Sequence, residues 1–422
     1  MKNKYVENEH ISLFLFFSVA VIYAVIYMTK NCYSAAMVLL VEENFLTKTQ
    51  TGTISAMFYL VYAVFQVIGG IAADRFSPHK LIAIGLVGAM ISNAAISVAT
   101  NYYAMMGIWT FNAAIQFGVW PAIFKIVSTM LAPAHRHNAI FYITFSSTIG
   151  SVLSYLIAGM VNGWRANFVV SAISLLVCSV FWIVAGKFFD KNMVSEEPIG
   201  HGVAHLPEKM VHDNNSEISI AKLLLTSGII IMLPAISLQS IFSVGMQSVI
   251  PSMLKESYST VSPSVASILN IFPILIGILG KYVMQFIYSK KRHNEAMTMA
   301  LCMLVMMIPL FVMSFVGNIS VWYVVVMVSA VLLISNASGV ASTTYLPVRF
   351  NKMGKTATVS GIVNAMASLG IVMSNFVSPR LADMFGGWVE VTYAWLAFAA
   401  ASVLIFLISY LPWRKFVAKQ ND

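Results

Sequence analysis

Apolar residues gather in twelve long stretches, near 11–40, 51–73, 79–99, 103–132, 138–161, 166–187, 222–254, 262–288, 294–317, 319–347, 356–380 and 388–412. Short polar punctuation separates them, such as Thr47-Lys48-Thr49-Gln50, Pro133-Ala134-His135-Arg136 and Lys290-Lys291-Arg292. A bilayer core about 30 Å thick takes about 20 apolar residues per helix, and only helices or closed barrels satisfy the backbone in lipid. Runs this long predict helices, so the expected fold class is an all-α membrane protein with twelve transmembrane helices. The only long polar segment, Asp190 to Ser219, has mixed charge and too few apolar residues for a core, which suits a solvated linker. The expected organisation is a six-helix bundle over 1–187, a cytoplasmic linker over 188–221 and a second six-helix bundle over 222–422.

A faint repeat supports two related halves. Helix five is followed by Gly163-Trp164 and helix eleven by Gly387-Trp388, while helices four and ten exit through Pro133-Ala134-His135-Arg136 and Pro347-Val348-Arg349. Pseudo-symmetric six-helix halves are mostly found in carriers that rock around a central site.

Composition agrees. The chain is 59% hydrophobic and 10% charged, where a soluble domain carries about a quarter charged residues. Its net charge of +9 raises the question of nucleic acid, but the distribution answers it. Of the 25 Lys and Arg, 18 fall at the helix ends that share a side with the termini, four (Lys48, Arg165, Lys255, Arg380) at the opposite ends, and three (Lys30, Lys125, Lys281) within spans. That asymmetry places both termini and the linker in the cytoplasm of a cell-membrane protein. The expected partners are therefore the lipid bilayer and a small-molecule substrate, with no nucleic acid; a monomer is expected. Cys32, Cys178 and Cys302 sit singly in apolar spans and fit no disulfide framework or metal site, so no cofactor or metal is expected. The first apolar run is too long for a cleaved signal and is expected to remain.

Between the second and third stretches runs Gly70-Ile71-Ala72-Ala73-Asp74-Arg75-Phe76-Ser77-Pro78-His79-Lys80. Small residues at the helix end allow a neighbouring helix close, where Asp74 is positioned to latch one conformation. Gly70, Asp74 and Arg75 form a Gly-x-x-x-Asp-Arg signature that resembles the major facilitator superfamily. Tyr27-x-x-Lys30-Asn31, Asp74-Arg75-x-x-Pro78 and Gln116-x-x-x-Trp120-Pro121 with Lys125 are similar to the organophosphate:phosphate antiporter branch. That resemblance implies arginines in helices one and seven, a lysine in helix two and a histidine in helix five as a phosphate clamp. The corresponding positions here are Thr29, Ser243, Gln66 and Ser147. The resemblance thus implies the fold without the phosphate site.

Lys30 is the sharpest residue, because a lysine at the middle of a span costs about 2.5–3.5 kcal/mol on insertion scales. Lys125 lies nearer a helix end, where snorkelling explains it equally well. The 16 carboxylates and eight histidines fall in loops or near helix ends. No midplane proton carrier is expected, and an anion becomes the missing countercharge for lysine. Further candidate substrate-binding residues are Tyr27, Gln66, Gln116, Trp120, Ser147, Gln239, Ser243, Gln247, Asn336 and Asn364. Gln239, Ser243 and Gln247, four apart, are expected to form one polar stripe, although interhelical hydrogen bonding explains such a stripe too. Pro121, Pro234, Pro251 and Pro273 fall within spans as bending points, although packing without motion explains them equally well. No enzyme motif such as His-Glu-x-x-His is present, and enzyme activity is not expected. The expected function is secondary active or exchange transport of a small polar metabolite, an organic anion, by alternating access. The alternatives are a drug or neutral-solute exporter, or a ligand sensor that does not transport.

Overall fold

Side chains at polar punctuation start the helices. Asn8, Thr47, Asn101, Ser262 and Ser320 each accept a hydrogen bond from a first-turn backbone N–H that has no partner within its own helix. In a computed structural model of the chain, which describes residues 4–195, 220–290, 294–316, 319–350, 353 and 356–421, nearly every element is helical. The first half contains α1 (Glu9–Glu42), α2 (Lys48–Arg75), α3 (Pro78–Ser97), α4 (Tyr102–Ile115), α5 (Val119–Lys125), α6 (Pro133–Met160) and α7 (Trp164–Lys191). The second contains α8 (Ile220–Ser227), α9 (Ile229–Ser240), α10 (Met246–Ser257), α11 (Pro263–Leu269), α12 (Ile271–Lys290), α13 (Glu295–Val316), α14 (Val321–Val340), α15 (Leu346–Val348), α16 (Thr356–Phe385) and α17 (Val389–Asn421). A short antiparallel pair, β1 (Lys4–Val6) with β2 (Met193–Ser195), ties the start of the chain to the end of α7.

Successive pieces join into twelve rods among the described residues. Ten are long and apolar enough to cross a membrane. The other two, α2 and α6, have 28 residues each and so reach about 42 Å. The rods pack as two six-helix bundles. In the first, α1 lies on α6 and α7, α3 on α7 and α2 on α4; in the second, α12 lies on α14, α13 on α17 and α9 on α16 and α17. The bundles meet along α2 with α16, α6 with α11 and α12, and α1 with α10.

The repeat extends to individual contacts. Glu43, just after α1, accepts from the backbone N–H of Trp164, and Glu256, at the end of α10, accepts from the indole of Trp388. Trp182 of α7 donates to the His79 carbonyl at the start of α3, and Trp413 of α17 donates to Glu295 at the start of α13. A π-helical turn precedes each proline exit, at Ile126–Met130 and at Ala341–Tyr345.

Several spans differ from a simple reading. The fourth is interrupted by a turn over Gln116, Phe117 and Gly118. The seventh breaks at Gly228, whose positive φ of 73° admits the left-handed turn and whose missing Cβ leaves room for Pro412. It bends again at Ser243, where φ −97° and ψ −110° leave the helical region. Pro234 and Pro251 lie inside α9 and α10 without ending them. The helix α7 runs to Lys191 and α17 to Asn421. Most of the expected linker, 188–221, lies outside the described residues.

Candidate functional site

The face carrying the start of α1 and the end of α17 is termed the terminal face, and the other the far face. Lys30 lies about 18 Å from the far-face end of α1, at 1.5 Å per residue. Helical spacing puts Tyr27 on the same face as Lys30, three residues away, and puts Phe58 and Tyr62 of α2 one turn apart opposite them. The ammonium is therefore collared by rings. Lys30 Nζ is 3.8 Å from the Tyr62 ring centroid, 5.2 Å from Tyr59, 5.6 Å from Tyr27 and 5.7 Å from Phe58. Among the described residues it has no ion pair. The negative ring faces attract the cation without neutralising it.

Two turns nearer the terminal face, Tyr23 stacks on Trp120 at 4.9 Å and meets Tyr27 edge-on at 4.9 Å. Tyr27, Lys30 and Trp120 thus belong to one lysine–aromatic cluster. Gln66 follows Tyr62 by one turn on α2 and is half-buried. Asn31 Nδ2 donates to Ser151 Oγ at 2.7 Å, and Ser151 donates to the Ser147 carbonyl, which joins α1 to α6. Gln116 is buried and donates to Asn112 at the break after α4. Lys125 donates to the Ala73 carbonyl at 2.7 Å, on the last turn of α2. A cation there satisfies a carbonyl left open at the helix end and complements its dipole.

On the second bundle, Gln239 is buried with no hydrogen-bond partner for its Oε1. Ser243 donates to the Ser240 carbonyl at the bend. The expected stripe of Gln239, Ser243 and Gln247 does not continue as one helical face, because the π turn Ile241–Gly245 changes the phase between them. The Gln247 carbonyl accepts from Tyr155 of the first bundle at 3.3 Å and from Asn270 at 3.0 Å. Asn336 donates to the Leu332 carbonyl within α14, and the half-buried Asn364 lies on α16. Gly70, Asp74 and Arg75 end α2, and their side chains lie outside the described structure.

Sequence reasoning missed Phe58 and Tyr59 as collar members, although an aromatic set spaced i, i+1 and i+4 opposite a lone lysine was a readable signal. It also missed the polar cluster that joins the bundles on the far face. Lys48 contacts Glu256 and Asp383, Lys255 contacts Glu42, Thr49 donates to Asp383, and Arg380 donates to Thr53. Side chains scattered over more than 330 positions of sequence gave no local cue to that pairing.

Comparison with known proteins accords with this architecture. The Membrane sensor protein UhpC of Escherichia coli strain K12 is 24% identical over 162 residues, 38% of this chain and 37% of that protein. The Hexuronate transporter of Bacillus subtilis strain 168 is 24% identical over 175 residues, 41% of this chain and 42% of that protein. The alignments with these relatives thus span about two-fifths of their length. Among solved structures, an inward-facing, unoccupied bacterial homologue of the human lysosomal transporter Spinster superposes with a TM-score of 0.71 at 14% identity, covering 97% of this chain and 98% of that one. A D-xylose-proton symporter gives 0.69 at 14% identity, over 94% and 97%. The Major Facilitator Superfamily model matches residues 19–375, most of the twelve-rod architecture, and the chain belongs to that superfamily.

Proposed function

We propose that the protein is a secondary active or exchange transporter of a small organic anion, working by alternating access. The observation that carries this reading is Lys30, deep in a span, ringed by aromatics and without a carboxylate among the described residues. A cation so placed is stabilised by an anion that binds and leaves. Tyr27 and Trp120 belong to the same lysine–aromatic cluster, and Gln66, Gln239, Ser243, Gln247, Asn336 and Asn364 line the approach. Lys125 and Ser147 act on helix packing around the site in addition to any ligand contact. With Thr29, Gln66, Ser147 and Ser243 at the clamp positions, bidentate recognition of phosphate is lost, which favours a carboxylate. The far face is held shut by the Lys48 cluster, so the site opens toward the terminal face, which the basic asymmetry assigns to the cytoplasm. The end of α2, with Gly70, Asp74 and Arg75, latches that face in the other conformation.

The test is uptake of labelled D-glucuronate, and of inorganic phosphate for comparison, into proteoliposomes. Lys30→Gln is expected to abolish anion uptake with the protein still folded and inserted. Normal anion uptake by Lys30→Gln would overturn Lys30 as the anion site, and no uptake of any anion by the parent protein would favour a neutral-solute exporter. A second reading, a ligand sensor, is favoured by the relative whose name describes a sensor. Ligand binding without accumulation in sealed vesicles would support it.

A further inference from the structure

Lys281 is the charged side chain that the Lys30 site leaves unused. Ile274 and Lys281 fall seven residues apart on α12, so they share one face to within about 20°. That face looks across at the first bundle. Asn270 donates to the Gln247 carbonyl beside Tyr155, and Ile274 packs with Ala35 and Tyr155. The next residue along, Tyr282, meets Phe145 of α6 at 5.6 Å between ring centroids. Gly280, by contrast, backs onto the Leu333 carbonyl of α14. Lys281 is therefore aimed between the bundles, close to where α6 and α12 face each other.

It is half-buried, and among the described residues it makes no hydrogen bond or ion pair. Counted along the helix axis from Pro263, it lies about 27 Å from the far face, against about 18 Å for Lys30 counted from Glu42. One unpaired ammonium thus comes from each bundle, with that of Lys281 about 9 Å nearer the terminal face, by the same rise per residue. The far face between them and solvent is crossed by the Lys48 contacts, and the reading proposed above takes the terminal face as the approach.

We propose that Lys281 is a second anion-binding station, which takes the carboxylate or similar headgroup of a small organic anion on its path between the terminal face and Lys30. Two cations at staggered depth draw an anion inward by steps, and each is relieved of an unpaired charge in turn. The proposal rests on the reading of Lys30 as an anion site, but its test does not use transport.

Ile278, one turn before Lys281 on the same side and half-buried, serves as the reporter. In full-length protein with Cys32, Cys178 and Cys302 replaced by alanine, the cysteine of Ile278→Cys is labelled with an anionic and with a cationic methanethiosulfonate reagent. The ratio of rates is normalised to that of a free thiol. With Lys281 present the ratio is expected to favour the anionic reagent several-fold. Lys281→Arg should keep that preference and Lys281→Gln should lose it. An unchanged ratio in Lys281→Gln, or a cysteine that neither reagent reaches, overturns the proposal. Should Lys281→Gln not fold, rising salt must collapse the ratio of the lysine-bearing protein, and a salt-independent ratio overturns the proposal equally. Failure of anion uptake to depend on Lys30 would instead undo the earlier reading and leave this ratio as measured.

Discussion

Lys48 Nζ lies 2.6 Å from Glu256 Oε2, joining the second helix of one bundle to the end of the seventh crossing in the other. The same ammonium reaches Asp383 at 3.1 Å, and Glu256 also accepts from Trp388 at 2.7 Å. On the terminal face the described ion pair of Arg349 with Glu295, and the 3.6 Å approach of His79 to Asp190, each stay within one bundle. Partly exposed ion pairs are worth about 0–1 kcal/mol each, so the contacts that cross the far face are individually weak and suited to reversal.

Lys48→Gln removes both ion pairs of that ammonium and is expected to favour opening of the far face. A loss of about 1 kcal/mol corresponds to about a fivefold change in the ratio of states. Labelling of the cysteine in Thr53→Cys by an impermeant thiol reagent from the far side reads that ratio. Equal labelling with and without Lys48 would show that the pair does not hold the face shut.

Gly52 permits the close approach of α2 and α16 that closes this face. A Cβ there would collide with the Asn375 carbonyl oxygen and lie 2.8 Å from Pro379 Cγ. Backbone cannot yield as a flexible side chain can, so Gly52→Val should wedge the far face apart and lower the turnover rate at least tenfold while the protein still inserts. Gly107→Ala, where the added Cβ meets nothing within 4 Å, is the matched control. Full turnover in Gly52→Val would mean that the helices separate there throughout the cycle.

Lys125 separates a structural from a substrate-binding role. Its donation to the Ala73 carbonyl fixes the start of the π turn in the fourth crossing against the end of α2. Hydrogen bonds from a charged donor contribute about 1.5–3 kcal/mol. Lys125→Met is therefore expected to lower the thermal midpoint by several degrees while leaving KM for the anion nearly unchanged. A raised KM at unchanged stability would return Lys125 to the binding set.

The rods were legible because lipid forces long, continuous apolar runs, and the two-bundle division followed from the single polar linker and the Gly-Trp repeats. The depth of Lys30 was legible for the same reason, since few charges interrupt such runs. The interior geometry was not. The stripe of Gln239, Ser243 and Gln247 assumes a constant 3.6-residue period, and the π turn at Ile241–Gly245 breaks it with no proline to announce it. The amide of Asn31, next to Lys30, bonds Ser151, a partner 120 residues away that no local pattern reveals. The Lys48 cluster has the same character, being assembled from four helix ends by tertiary packing alone.

The aromatic collar supplies the last prediction. Tyr62 is the ring nearest Lys30 Nζ, and a cation over an aromatic face gains about 0.5–2 kcal/mol depending on how far it is desolvated. A free lysine has about 2 kcal/mol of rotamer entropy, part of which an anion must otherwise overcome on binding. The ring holds the ammonium ready at one depth. Tyr62→Leu should thus raise KM for the transported anion about three- to tenfold with a smaller effect on kcat, whereas Tyr62→Phe, which keeps the ring, should stay close to the parent. Lys30→Arg should retain partial activity, since the charge persists and a guanidinium also stacks on a ring, but in a different geometry. A fall in KM for Tyr62→Leu would mean that the ring competes with the anion for the ammonium rather than presenting it, and the collar would then tune release in place of capture.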